Sequence, residues 1–371
     1  MQFFKLKTVI SRFENFGDFA KEFNLGENDL VLTNGFLYDP FMNKLNLKCH
    51  FVMQEKYGMG EPSDEMMNNI INDLKGINYN RVIAVGGGTV IDISKLLVLK
   101  DITNVVDAFE KKVPLIRDKK LVIIPTTCGT GSEVTNISIA EIKSKHTKMG
   151  LAIDEILADD AVIIPEFLKG LPFRFYMFSA IDALIHATES YVSPKSNIYT
   201  KIFNRSAIET IIDVFKNLAE KGEEYRFERM EDMLVAANFA GVGFGNTGVG
   251  AVHALSYPLG GKYHVPHGEA NARFFTEVFK LYEKKNPNGQ NLKEVNQILK
   301  DALKSSKPTY EALDELLLKL IKPAKLSDYG MTKEDIDGFT DTVIKTQQRL
   351  LANNYVAISD AEIKQIYNTL F

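Results

Sequence analysis

Cysteine is nearly absent: Cys49 and Cys128 are the only two in 371 residues. Two thiols cannot staple a chain of this length, so a disulfide scaffold is excluded and a reducing compartment fits. Long apolar runs are missing too. LVIIP (121–125) and AVIIP (161–165) are far too short to span a bilayer. The opening stretch MQFFKLKTVISRFENF holds no sustained apolar segment and no small-residue cleavage site, so the expectation is a cytoplasmic protein with no membrane partner. There is no concentrated block of Lys and Arg, and 44 basic against 48 acidic residues leave a net charge of −4. That balance argues against a nucleic-acid partner. Internal repeats and low-complexity tracts are absent as well, and NPNG (286–289) is a plain turn signal.

What is present has the composition of a globular protein, 45% hydrophobic and 25% charged. The length exceeds what one ordinary core serves, so two domains are expected. In the first half, short β-rich runs alternate with helical stretches. The runs are LVLT (30–33), HFVM (50–53), RVIAVGG (81–87), LVIIPTT (121–127) and AVIIP (161–165). Several are apolar on both faces, as strands of a helix-covered parallel sheet must be. Helix-like segments lie between them, SDEMMNNIINDL (63–74) and VIDISKLLVL (90–99) among them. The alternation predicts a doubly wound α/β domain over residues 1–172. From about Phe173 the pattern is helical, so residues 173–371 are expected to form an all-α domain. Capping-box spacings at Thr332…Asp335 and Ser359…Glu362 mark two helix starts.

Two glycine-rich segments follow apolar runs. Gly86, Gly87, Gly88 and Thr89 open a helix after RVIAV; without Cβ atoms, such a turn lets backbone N–H groups approach an anion at the positive end of a helix. The segment matches neither G-x-G-x-x-G nor the P-loop, and a tight turn with Thr89 capping onto Asp92 is the plainer alternative. PTTCGTGSEVT (125–135) packs four threonines, a serine and two glycines into eleven residues. Hydroxyls and amides there sit where open α/β sheets bind ligands. Two such loops on one sheet suggest a dinucleotide. Cys128, inside the second loop, has no base near it in sequence and reads as a packing residue.

His253, His264 and His267, three of the six histidines, fall within fifteen residues, between Pro258, Gly260-Gly261 and Pro266. Asp182 and His186, four apart in a helical stretch, share a face about 5–6 Å apart at Cβ. Together they suggest one carboxylate and two or three imidazoles around a single ion. Such a set contains no thiolate; it suits Fe(II) or Zn(II), and with an open position the ion acts as a Lewis acid on oxygen.

GGGTVIDISK, PTTCGTGSEVT, IDALIHATESYVSP and GAVHALSYPLGGKYHVPHGEAN, in that order, resemble the iron-containing (group III) alcohol dehydrogenases over roughly residues 30 to 275. The resemblance implies a dehydroquinate-synthase-like fold, with an α/β dinucleotide-binding domain followed by an all-α domain. It places the metal ligands on Asp182, His186, His253 and His267. The pyrophosphate turn falls on Gly86, Gly87, Gly88 and Thr89, with Asp92 and Lys95 at the next motif positions. Thr126, Thr127, Thr130 and Ser132 fall in the cofactor loop, and Lys148 near a ribose. The implied activity is NAD-dependent hydride transfer between a small hydroxy acid and its aldehyde. Two departures stand out. Many relatives carry a relay histidine where this chain has Tyr257, which leaves His264 or Tyr257 for that task; His264 is equally read as a cap on the turn before Pro266. Near the end of an early strand, Asn34 stands where NAD-preferring relatives often carry Asp, so NADP is not excluded. Lys262, His264 and Asn136 are candidates for a substrate carboxylate. A homodimer is expected. An alcohol or diol dehydrogenase and a dehydroquinate-synthase-type lyase are the competing readings.

Overall fold

A computed structural model describes residues 2–145 and 147–371. It divides into two compact units, Leu6–Leu171 and Pro172–Phe371, the second joined by residues 2–5 of the chain.

The first unit is built on a six-stranded parallel sheet. Its strands are β1 (Val9–Arg12), β2 (Asp29–Thr33), β3 (His50–Met53), β4 (Arg81–Gly86), β5 (Lys120–Pro125) and β8 (Asp160–Ile163), in the order β1-β8-β5-β4-β2-β3. Strands β6 (Ile137–Ile142) and β7 (Thr147–Ala152) form a separate antiparallel pair. Side chains alternate across the central strands. Leu30, Leu32, Val82, Ala84, Leu121 and Ile123 enter one core, while Val31, Ile83, Val85, Val122 and Ile124 enter the other. That double burial is why these strands read as unbroken apolar runs. Each such Val, Leu or Ile side chain, taken from water, contributes roughly 1.5–3 kcal/mol. The predicted runs at 30–33, 50–53, 81–87, 121–127 and 161–165 all contain strand. β1 and the β6–β7 pair were not anticipated. β1 is an edge strand with little burial, and β6 buries only alternate residues, so neither carries a continuous apolar run.

The second unit is helical. In the Phe173–Val192 helix every residue from Ala180 to Val192 is buried. A helix hydrophobic all round lies inside its domain, and polar groups on it need partners. Asp182, His186 and Glu189 are such groups. At Ser359 the capping box is complete: its side chain accepts from Glu362 N–H, and Glu362 reaches back to Ser359 N–H. The box expected at Thr332 is only half made. Asp335 accepts the Thr332 N–H at 2.8 Å, but the Thr332 hydroxyl also turns to Asp335 rather than capping the helix, which starts at Asp335, later than a box at Thr332 would set it.

Candidate metal centre and dinucleotide loops

Three helices of the second unit converge on one point. Asp182 and His186 come from the Phe173–Val192 helix, His253 from the Ala251–Tyr263 helix, and His267 begins the His267–Lys285 helix. One ligand atom from each lies within 4.8 Å of the others. His186 Nε2 and His253 Nε2 are 3.0 Å apart. Asp182 Oδ1 is 3.8 Å from His253 Nε2 and 3.8 Å from His267 Nε2. A tetrahedral ion with bonds of about 2.1 Å separates neighbouring donors by about 3.4 Å, so this spacing fits one cation. Asp182, His186 and His253 are buried, while His267 is partly exposed and marks the open side.

The helices approach closely because the sequence permits it. A Cβ at Gly268 would lie 2.5 Å from the Phe178 carbonyl oxygen, so only glycine lets the His267 helix seat against its neighbour. Phe244 stacks on His186 with ring centroids 4.3 Å apart.

Two residues that the sequence reading did not single out complete the arrangement. Glu189, one turn beyond His186, accepts from His253 Nδ1 at 2.7 Å and from the Val252 N–H at 2.7 Å. With Nδ1 donating to that carboxylate, the tautomer presents the His253 Nε2 lone pair to an ion. Asn271 Nδ2 donates to Asp182 Oδ1 at 2.8 Å and lies 3.1 Å from His267 Nε2. Its Oδ1 accepts from the Ser256 hydroxyl, which sets the amide's orientation. Both residues lie inside quoted motifs, at helical spacings of three and four from a ligand. Burial would raise the Asp182 carboxyl, but the three imidazoles and Asn271 outweigh it and hold it below the ordinary range.

The remaining candidates in this unit stand differently. Tyr257 faces His267, ring centroids 6.2 Å apart. His264 is exposed, in the left-handed conformation (φ 53°, ψ 31°) that ends the Ala251–Tyr263 helix, and is not among the four grouped side chains. Lys262 is paired with Asp335.

In the first unit, β4 and β5 run side by side with Gly86 opposite Pro125, so both glycine-rich loops leave the sheet together. A Cβ at Gly86 would lie 2.5 Å from Val90 Cβ, which ties that glycine to close strand–helix packing. Gly87 and Gly88 face Thr127 and Thr130, where added Cβ atoms would come within 3.3 and 3.2 Å. The Gly88–Leu96 helix therefore opens against the threonine loop with its first N–H groups free of any side-chain cap. That cradle suits a pyrophosphate. Thr89 does not cap onto Asp92; its hydroxyl donates to the Gly60 carbonyl at 2.9 Å. Thr126 N–H is held by the Gly86 carbonyl at 3.1 Å.

Asp92 accepts from the Ser132 hydroxyl at 3.1 Å and from the Ile139 N–H at 3.0 Å. Lys95, fully buried, donates to Ser132 Oγ (2.7 Å), Thr135 Oγ1 (3.2 Å) and the Ile137 carbonyl (2.6 Å). The two anchor the threonine loop from behind. Burial raises Asp92 and pushes Lys95 down to about 8. Lys148 is paired with Glu61, Asn136 donates to Asp154 at 3.3 Å, and Asn34 donates to Glu55 at 2.9 Å. Cys128 is buried, and burial pushes the Cys49 thiol up to about 11, so that thiol is unsuited to nucleophilic work.

Residues 8–165 match the family model "Iron-containing alcohol dehydrogenase", and residues 176–371 match "Fe-containing alcohol dehydrogenase family, C-terminal". The 4-hydroxybutyrate dehydrogenase of Clostridium kluyveri is 54% identical over 372 residues, covering 100% of both chains. Long-chain-alcohol dehydrogenase 1 of Geobacillus thermodenitrificans is 31% identical across 90% of this chain and 88% of its own. In fold, the chain resembles sulfoacetaldehyde reductase from Bifidobacterium kashiwanohense, solved in complex with NAD+, with a TM-score of 0.85 over 100% of this chain and 99% of that one, at 21% identity.

Proposed function

This chain belongs to the iron-containing alcohol dehydrogenase family, and we propose that it is an NAD-dependent 4-hydroxybutyrate dehydrogenase, interconverting 4-hydroxybutyrate and succinate semialdehyde. The observation that carries the reaction class is the Asp182, His186, His253 and His267 set, three of them buried and His267 on the open side, its donor atoms within 4.8 Å of one another. The donors suit Fe(II) or Zn(II). The substrate is narrowed by the full-length 54% identity to the Clostridium kluyveri enzyme.

When bound, the cation polarises the substrate oxygen and the dinucleotide exchanges the hydride. The chain's own groups do the rest. Glu189 keeps the His253 proton on Nδ1, and Asn271 holds Asp182 beside His267. The Gly86–Gly88 turn and the loop of Thr126, Thr127, Thr130 and Ser132 receive the cofactor, with Asp92 bracing Ser132 from behind. Proton release belongs to the open side, where Tyr257 faces His267. With Lys262 and Asn136 held by Asp335 and Asp154, exposed His264 is the remaining candidate for the substrate carboxylate. The β1 edge, with Val9 and Ile10 exposed, supports a homodimer, and two cysteines outside any disulfide suit the cytoplasm.

The test is a substrate panel on protein reconstituted anaerobically with Fe(II) or Zn(II). With NAD+, 4-hydroxybutyrate is expected to yield NADH far faster than 1-butanol or glycerol. Equal rates on 1-butanol would remove the substrate assignment and keep the reaction class. No NADH from any of them would remove both.

A further inference from the structure

β2 lies beside β4, whose turn is Gly86–Gly88, and β3 lies on the far side of β2. In doubly wound dinucleotide-binding sheets, an acidic side chain beyond the strand next to the glycine turn accepts from the ribose hydroxyls, and its charge turns away a 2′-phosphate. The residue just beyond β2 here is Asn34, which carries no charge.

The tertiary structure brings a carboxylate to that place from another strand. β3 runs parallel to β2 with Thr33 opposite Met53, so Gln54 and Glu55 leave the sheet beside Asn34 and Gly35. Glu55 Oε2 accepts from Asn34 Nδ2 at 2.9 Å, and Glu55 Oε1 accepts from the Gly35 N–H at 2.7 Å. Gln54 Oε1 lies 3.3 Å from the same Asn34 amide. A Cβ at Gly35 would lie 2.8 Å from Glu55 Oε1, so a larger residue there would push the carboxylate out of this position. Burial draws the Glu55 carboxyl upward, but the Gly35 and Asn34 hydrogen bonds outweigh it and hold it below its ordinary range; it is charged at neutral pH.

We propose that Glu55 is a specificity-determining residue for the cofactor: held by Asn34 and Gly35, it supplies from β3 the negative charge that Asn34 lacks, accepting from the adenosine ribose hydroxyls and excluding a 2′-phosphate. This inference rests on the dinucleotide reading of the glycine and threonine loops. It makes the chain selective for NAD over NADP despite the neutral residue at the end of β2. The alternative is that Glu55 only ties down the Gly35 N–H.

The experiment is a fluorescence titration of the full chain with NADH and with NADPH, without substrate. Wild type is expected to bind NADH tighter by about tenfold or more, the scale of one like-charge contact near a protein surface. Glu55→Gln keeps the shape and an acceptor for Gly35 but loses the charge, so NADPH affinity should rise by about tenfold while NADH changes less. Glu55→Asp should retain the preference. An unchanged NADPH-to-NADH ratio in Glu55→Gln would overturn the proposal and leave the tie to Gly35 as the whole role. Wild type binding neither nucleotide would overturn the dinucleotide reading together with it. If Glu55→Gln does not fold, wild type alone decides: raising salt to about 0.5 M screens the repulsion and should narrow the ratio, whereas a ratio indifferent to salt counts against a charge effect.

Discussion

A carboxylate that touches a ligand imidazole and nothing outside the protein does its work by holding a proton in place. Glu189 is that residue, bonded to His253 Nδ1 and to the Val252 N–H. Groups of this kind typically tune metal affinity by about 10- to 100-fold. Glu189→Gln can donate to Nδ1 as readily as accept from it, which favours the wrong tautomer. It is therefore expected to weaken Zn(II) binding by about tenfold or more in chelator competition on the metal-free protein. Circular dichroism should stay unaltered, and equal affinities would return Glu189 to a packing role. At this scale much of the site was legible. Asp182 and His186 share a helix face by their spacing alone, and His253 and His267 stood out by density. Glu189, Asn271 and Glu55 were not, because acidic and amide side chains abound on helices and loops. Only the partner across the gap distinguishes a positioning group from a solvated one.

Among the elements, the helix that starts at Asp335 is tied to the end of the Ala251–Tyr263 helix through one carboxylate. Asp335 accepts from Lys262, from the Tyr263 hydroxyl and from the Thr332 N–H. Burial opposes its ionisation, but these donors outweigh it and hold the carboxyl well below the usual range. A depressed folded value contributes stability that is present above the unfolded value and lost as pH falls through the folded one. The advantage of wild type over Asp335→Asn should therefore be constant above about pH 5 and shrink below about pH 4, followed by urea unfolding at each pH. A gap that stays level into acid would mean the pairing contributes through shape alone. Element existence was legible where burial was total, as in the central strands, and where a local rule sufficed, as at the exposed Ser359 cap. β1 and the β6–β7 pair escaped because an edge strand and a half-buried hairpin lack the continuous apolar run. Thr332 shows the limit of a local rule, since the expected cap partner, Asp335, is also bonded to Lys262 and Tyr263.

For the whole molecule, a cation bound only by the folded chain adds stability by mass action. Stripping the protein with chelator and remeasuring the thermal midpoint should lower it, and Zn(II) should restore it, by an amount that grows with free metal; about 4 kcal/mol accrues at a thousandfold excess over Kd. A midpoint indifferent to chelator would mean the three imidazoles and Asp182 pack stably without a cation.

The sequence by itself determined the two-part plan, the sheet-then-helices order and the residue types able to hold a cation and a dinucleotide. Those follow from periodicity and spacing, which are local. The tertiary structure alone decided that three helices bring Asp182, His186, His253 and His267 to one point, that Glu189 orients one imidazole and that Glu55 reaches Asn34 from the neighbouring strand. Each of these joins residues about twenty to eighty positions apart, through close approaches such as that at Gly268. No pattern along the chain records which groups such packing will make neighbours.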